Sequence, residues 1–325
     1  MFQIRQFLQT TLFVFAAASG GAVHSQAYPV KPIKVIVPYS AGGTLDLVAR
    51  TYAEAVSKSI GQPLIIDNKA GGNTFIGMSE CARSQPDGYT LCIINSDALA
   101  VGPSAFTKMP YVPTKDLIGI STLAAPIAGI FARANAPFNN YQEMVAYAKA
   151  NPGKLGYASW GSGTISQLYL ELLNQRIKAE MLMVPYRGSA NVLQAVLGGE
   201  TELGYFALGQ VLPYIKEGKI KPIVITGSRK APQLPNTPSG SEVGVDLGVK
   251  SEFGVYAPVA TPSKIVQMLN SAFVAAGRDP KVQKMLSEQS IETLGTSVDE
   301  INKSMKAQLE ASRAVYKDFN LKPND

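Results

Sequence analysis

The sequence predicts an α/β protein of two Rossmann-like domains with mostly parallel sheets around a cleft. Three observations predict it. Short β-like apolar runs alternate with amphipathic helical stretches along most of the chain. Two of the strand-to-helix connections are rich in glycine and hydroxyl residues, the pattern that open parallel sheets place at the carboxyl ends of their strands. The composition, 46% apolar and 17% charged over 325 residues, supports a sizeable core in each of two domains.

Residues 1–27 read as a secretory signal. Arg5 is followed by the apolar run Thr11–Ala18 and by the small-residue site Ser25-Gln26-Ala27. The run is too short to span a bilayer, so export to the periplasm is expected. Cleavage after Ala27 leaves 298 of the 325 residues, removes the single histidine, His24, and lowers the net charge from +6 to +5. A chain without histidine has no imidazole base and no Ser/His/Asp or Cys/His machinery, which argues against an enzyme. No cofactor motif is present, and nothing points to a metal site. Lys and Arg are scattered, so nucleic-acid binding gains no support. Export permits a disulfide. Cys81 and Cys92 stand 11 apart, and a bridge or two small buried thiols both fit.

Ile33–Val37 is the first strand. Thr44–Ile60 is a helix with Val48, Ala49, Tyr52, Ala53 and Val56 on one face, and Gly61 suits its C-terminal cap. Pro63–Ile66 is a strand, Thr74–Arg83 a helix, Pro86-Asp87-Gly88 a turn and Tyr89–Asn95 a third strand. Further strands are expected at 129–133, 155–159, 181–184, 202–206 and 221–226. Helices are expected at 141–150, 165–175, 191–197 and 211–217. A Pro/Ser/Gly-rich loop spans 229–248, and 252–258 is another strand. Two helices close the chain: Ser263 caps the first, and Ser297 with Glu300 forms a capping box for the second. The first domain is placed at 28–125 plus 228–325, and the second at 126–227.

Two loops look suited to an anion. In Tyr39-Ser40-Ala41-Gly42-Gly43-Thr44-Leu45-Asp46, the glycines permit close backbone approach and the helix start offers free N–H groups. It is neither a phosphate loop nor GxGxxG, and a plain turn capped by Thr44 also explains it. Ser159-Trp160-Gly161-Ser162-Gly163-Thr164 has three hydroxyls, two glycines and the only tryptophan, a ligand platform or a packing residue. Gly71-Gly72-Asn73-Thr74 fits a turn and cap better than a ligand contact. The first two loops are expected to face each other across the cleft.

Several motifs in combination carry a resemblance. Tyr28-Pro29-Val30-Lys31-Pro32-Ile33 and Val37-Pro38-Tyr39-Ser40-Ala41-Gly42-Gly43 are followed by Asp46 and Ala49-Arg50. Later come Pro86-Asp87-Gly88-Tyr89-Thr90-Leu91, Val184-Pro185-Tyr186-Arg187-Gly188, Gly198-Gly199 and Ala257-Pro258. Over nearly the whole chain after residue 27 the sequence resembles tripartite tricarboxylate transporter substrate-binding proteins, the Bug family. The resemblance implies a type II-like periplasmic binding protein that closes around a small carboxylate. It would work as a monomer with membrane permease subunits; presenting ligand to a sensor kinase is the alternative role. Carried over by residue, it points to Ser40, Ala41, Gly42, Gly43 and Asp46, and to Ser159, Gly161, Ser162, Gly163 and Thr164. Relatives usually have His at Gln167 and Asp at Ala195, and often a Phe-Asp pair in the run Leu203-Gly204-Tyr205-Phe206-Ala207, where Phe206 replaces the acid. Loss of that acid removes a partner for an amino group. Trp160 and Phe206 add apolar surface, so an aromatic or apolar carboxylate such as terephthalate is expected in place of an amino acid.

Overall fold

The computed structural model describes residues 28–228 and 230–323. The expected signal segment, with His24, lies outside them, as does Arg229 at the start of the Pro/Ser/Gly-rich loop. The first sheet begins with β1 (Ile33–Val37), α1 (Thr44–Ile60), β2 (Leu64–Asn68), α2 (Phe75–Arg83) and β3 (Thr90–Asn95). It is followed by α3 (Ser96–Ala105), α4 (Pro113–Asp116) and β4 (Leu117–Pro126). The second sheet is built by β5 (Ala128–Arg133), α5 (Tyr141–Ala150), β6 (Leu155–Ser159), α6 (Ile165–Ile177) and β7 (Met181–Pro185). It ends with α7 (Ser189–Gly198), β8 (Leu203–Ala207), α8 (Leu208–Lys216) and β9 (Ile220–Ile225). The chain then returns to the first sheet with β10 (Phe253–Pro258), α9 (Ser263–Gly277), α10 (Pro280–Ser287), β11 (Ile291–Thr293) and α11 (Val298–Asp318).

The strand orders are β11-β4-β10-β3-β1-β2 and β7-β6-β8-β5-β9. Parallel pairing, expected for most of each sheet, holds for β1 with β2 and β3, and for β6 with β7 and β8. The other five pairings are antiparallel, so both sheets are mixed. The cause is the crossing chain. β4 runs out of the first sheet into β5 of the second with only Ile127 between them, so β5 enters its sheet against the direction of its neighbours. The backbone of Ile127 is fixed from both sides, donating to Ser290 O (3.1 Å) and accepting from Leu208 N (2.7 Å).

Local chemistry explains the helices that position the cleft. α1 buries Leu45, Val48, Ala49, Tyr52, Ala53 and Val56 along one stripe and stops at Gly61, whose φ of 72° is left-handed and whose N–H bonds Ser57 O. The capping box of Ser297 and Glu300 starts α11 as expected. Three points differ from the sequence reading. Three helices close the chain, because Asp279 and Pro280 start the separate α10. Ser263 is the first residue of α9 rather than its cap, which is Pro262. α3, α4, β4 and β11 were not anticipated.

α3 and α11 tie the two halves together. Leu99 of α3 sits in the core of the first sheet, and Val101 and Ala105 in that of the second. α11 repeats this, with Ile301 and Met305 in the first core and Ala311, Val315 and Tyr316 against the second. Val245, Leu247 and Val249 of the returning loop also pack in the second core.

Cys81 of α2 and Cys92 of β3 form a disulfide, with Cα atoms 6.0 Å apart and both residues fully buried. It closes a short loop, which on the chain-entropy account restricts the unfolded chain by about 2–3 kcal/mol. The double variant Cys81→Ala/Cys92→Ala is therefore expected to unfold at lower urea by about that free energy. Reductant should shift the wild-type midpoint and leave that of the variant unchanged.

Candidate functional site

Between the sheets lies a narrow cleft, about 420 Å³ with the open solvent at its mouth included. Its floor is the crossing chain, Pro126 and Ala128. From the first half come Tyr39, Ser40, Gly43, Thr44, Leu45, Asp46, Asn95 and Phe253; from the second, Trp160, Ser189 and Ala207. Four helix starts border it, those of α1, α3, α7 and α8, and the starts of α1 and α7 approach each other at Gly43 and Ser189. First-turn N–H groups have no intrahelical partner and carry the positive end of the helix dipole. The hydroxyl residues Ser40, Thr44 and Ser189 stand beside them. No lysine, arginine or histidine lines the cavity among the described residues. An anion here would be held by amides and hydroxyls rather than by an ion pair.

The carboxylate of Asp46 is 5% exposed and saturated. Its Oδ2 accepts from Gly42 N and from Arg50 Nε, each at 3.0 Å, and its Oδ1 accepts from Asn68 Nδ2 at 3.0 Å. Asn68 Nδ2 also donates to Tyr39 O at 3.1 Å. Burial works to raise the Asp46 pKa. The bonds from Arg50, Gly42 and Asn68 together outweigh it and hold the carboxyl below its ordinary value. Asp46 thus orders the loop 39–46, directly at Gly42 and through Asn68 at Tyr39, and its negative charge is neutralised where an anion would enter.

The halves touch around the cavity. Ser40 N and Ser40 Oγ both donate to Arg187 O, at 3.3 and 3.1 Å. Thr44 Oγ1 reaches Gln210 Oε1 at 3.5 Å. A Cβ on Gly43 would stand 2.8 Å from Ser189 Oγ, so only glycine allows this approach without displacing Ser189. Ser162 N donates to Asn73 Oδ1 at 3.2 Å. The Gly71–Thr74 loop, read as a turn, is therefore also an interlobe contact, lining a side cavity with Trp160, Tyr186 and Arg187.

The structure brings only part of the predicted set together. Tyr39, Ser40, Gly43, Asp46, Trp160 and Ala207 line the central cavity, whereas Ala41 and Gly42 are exposed at its rim. Phe206 does not reach it. Strand alternation turns Phe206 to the opposite face of β8, fully buried against Phe131 with ring centroids 6.2 Å apart. The loop 159–164 is largely closed on itself. Ser159 Oγ and Thr164 Oγ1 both donate to Gly161 O, and Gly163 N donates to Gln167 Oε1 at 2.8 Å. Gly163 has φ +73°, and a Cβ there would lie 2.2 Å from the Phe106 ring. Its glycine is thus explained by packing. Of this loop only Trp160 enters the central cavity. Its Nε1 donates to Tyr205 O (2.9 Å), and its ring stands edge-on to Tyr205 at 5.0 Å.

The loop that faces 39–46 is instead 185–190. It was quoted only as a family motif, yet it has the same strand, glycine, hydroxyl, helix order as the two loops singled out. Asn95 and Phe253 were also missed: α3 was not anticipated, so nothing marked Asn95 as a strand-to-helix junction.

Two sheets exchanging strands around a narrow, mostly apolar cleft with paired helix starts define a two-lobed solute-binding protein. Residues 48–321 match the tripartite tricarboxylate transporter family receptor family, TctC, and the chain belongs to it. A UPF0065 protein from the gbd 5′ region of Cupriavidus necator is 34% identical over 277 residues, 85% of this chain and 84% of that one. The structure of the periplasmic binding protein BugD is similar with a TM-score of 0.86 and 28% identity, covering 91% of this chain and all of that one. The R. palustris protein Rpa4515 with adipate gives a TM-score of 0.85 at 28% identity, again covering 91% of this chain and all of that one. The chain is a solute-binding protein and not an enzyme.

Because the Asp46 pKa is lowered on folding, its contribution to stability is fully present above the unfolded carboxyl value, about pH 4. It is lost as pH falls through the depressed folded value. Asp46→Asn should lower the melting temperature at pH 7, and the gap from wild type should narrow steadily below pH 4. A gap that stays constant down to pH 2 would assign the effect to shape and not to charge.

Proposed function

We propose that this protein is a periplasmic binding protein, exported by residues 1–27, that captures a small carboxylate with an apolar, ring-sized body for the membrane subunits of a tripartite tricarboxylate-type transporter. The observation that carries the reading is the two-ended character of the central cavity. One end gathers the α1 and α7 helix starts with Ser40, Thr44 and Ser189. The walls are Leu45, Pro126, Ala128, Trp160, Ala207 and Phe253. Amides at the polar end suit a carboxylate, and the apolar walls suit a ring or short hydrocarbon chain. The adipate in Rpa4515, an acid with an apolar middle, supports the same class. The sole charged side chain on the lining, Asp46, already has three donors, so an amino group gains no free acid there. This disfavours amino acids. Residues 28–125 with 228–325, and 126–227, are read as the two lobes. The contacts Ser40–Arg187 and Asn73–Ser162 would break on opening and re-form on capture.

Trp160 is the only tryptophan and lines the cavity, so binding can be read from its emission without a label. Titration with benzoate, terephthalate, adipate, malate and glutamate should shift that emission and raise the melting temperature by mass action for acids with an apolar body. Trp160→Ala should weaken aromatic acids more than aliphatic ones, by roughly fifteenfold against threefold if ring stacking contributes about 1 kcal/mol. Tighter binding of glutamate than of every aromatic or aliphatic acid would sink the proposal.

A further inference from the structure

The central cavity holds one polar side chain to which neither the loop architecture nor the carboxylate end gives a role. Asn95 ends β3 and stands at the N-cap of α3. Asparagine is among the best N-cap residues because its oxygen can accept from the first-turn N–H groups. Asn95 makes no such bond. It is 1% exposed, it lines the cavity, and its Oδ1 has no hydrogen-bond partner among the described residues. A buried amide oxygen left unpaired is destabilising, and native structures keep few of them. Asn95 accordingly costs stability in the unliganded chain and gives no cap in return, which is the signature of a group held for an arriving partner.

The surroundings restrict what that partner can be. No cation is on the lining and both Asp46 oxygens are occupied, so a second carboxylate at Asn95 would have only the start of α3 to balance its charge, where the first has the starts of α1 and α7 with three hydroxyl residues. A primary amide offers an acceptor on one side and donors on the other, and a half-turn exchanges them with little change in shape. It therefore suits an uncharged hydroxyl, keto or amide group. We infer that Asn95 is a specificity-determining residue that receives a neutral hydrogen-bonding group of the ligand, so that a monocarboxylate carrying such a group is preferred over a diacid of the same length. This rests on the carboxylate reading above and narrows it.

The test is calorimetric titration of the purified protein with benzoate, 3- and 4-hydroxybenzoate and terephthalate. In parallel, hexanoate, 6-hydroxyhexanoate and adipate keep the result independent of a ring. In at least one series the hydroxy acid should bind tenfold or more tightly than both its parent acid and the diacid. Asn95→Ala should reduce that preference to threefold or less, and the variant's unliganded melting temperature should not fall. A diacid that matches or exceeds the hydroxy acids in both series overturns the inference while leaving carboxylate capture intact. So does a preference that survives Asn95→Ala. A fall in unliganded melting temperature with equal loss for every acid assigns Asn95 a structural role and also overturns it. Silence towards all seven acids overturns the carboxylate reading and the inference with it.

Discussion

A negative side chain at the mouth of an anion site is an electrostatic contradiction, and the way Asp46 resolves it shapes the whole cleft. The carboxylate is buried at the start of α1, where the helix dipole favours it. It then takes donors from the loop before it, the helix after it and the end of the neighbouring strand β2. Those three bonds fix loop 39–46 relative to two secondary elements. Arg50, which would otherwise be a free cation on the rim, is committed to Asp46 and to Asn68 Oδ1 (2.9 Å). The result is a rigid, charge-compensated rim whose remaining attraction for an anion comes from oriented amides. Such dipoles are short-ranged, and they favour a ligand group that fits their geometry over one that is merely negative.

A rigid loop on one half needs a matching surface on the other, and the crossing chain supplies the alignment. Ile127 is the single residue between β4 and β5, and its two backbone bonds tie it to Ser290 and Leu208. α3 and α11 add a second pair of ties, because each places residues in both cores. With the halves joined at so many points, their relative placement in this structure is closely set. That is what lets Ser40 find Arg187 and Gly43 find Ser189 in register.

The sequence made α1 legible because every local signal agreed: an apolar stripe, an acid in the first turn and a left-handed glycine at the end. The capping box of α11 was legible for the same reason. β4 and α3 were not. Leu117–Pro126 is a nearly continuous apolar run, without the alternation that marks a half-exposed strand. Ser96–Ala105 is apolar on both sides, because it packs against both cores at once, and it contains Pro103, which reads locally as a break. At the site, composition identified the loops that could bend around a ligand but not which ones do. Phe206 and Tyr205 are adjacent in sequence and face opposite sides of one strand. Only the register of β8 decides which of them approaches the cleft.

Gln167 shows why the second glycine loop turned inward. Its Oε1 occupies the Gly163 N–H, and the hydroxyls of Ser159 and Thr164 close on Gly161 O, so the groups that could have met a ligand are spent within the loop. An amide in this place is neutral across the accessible pH range, whereas an imidazole would titrate near pH 6.5. The loop therefore contributes no charge that varies with pH and acts as a rigid support for Trp160. Its polar duties pass to the neighbouring start of α7 and to the end of β3. In this chain the choice of ligand accordingly depends less on the loop richest in hydroxyls than on residues whose polar atoms remain unspent, and among the lining residues Asn95 is the clearest of these.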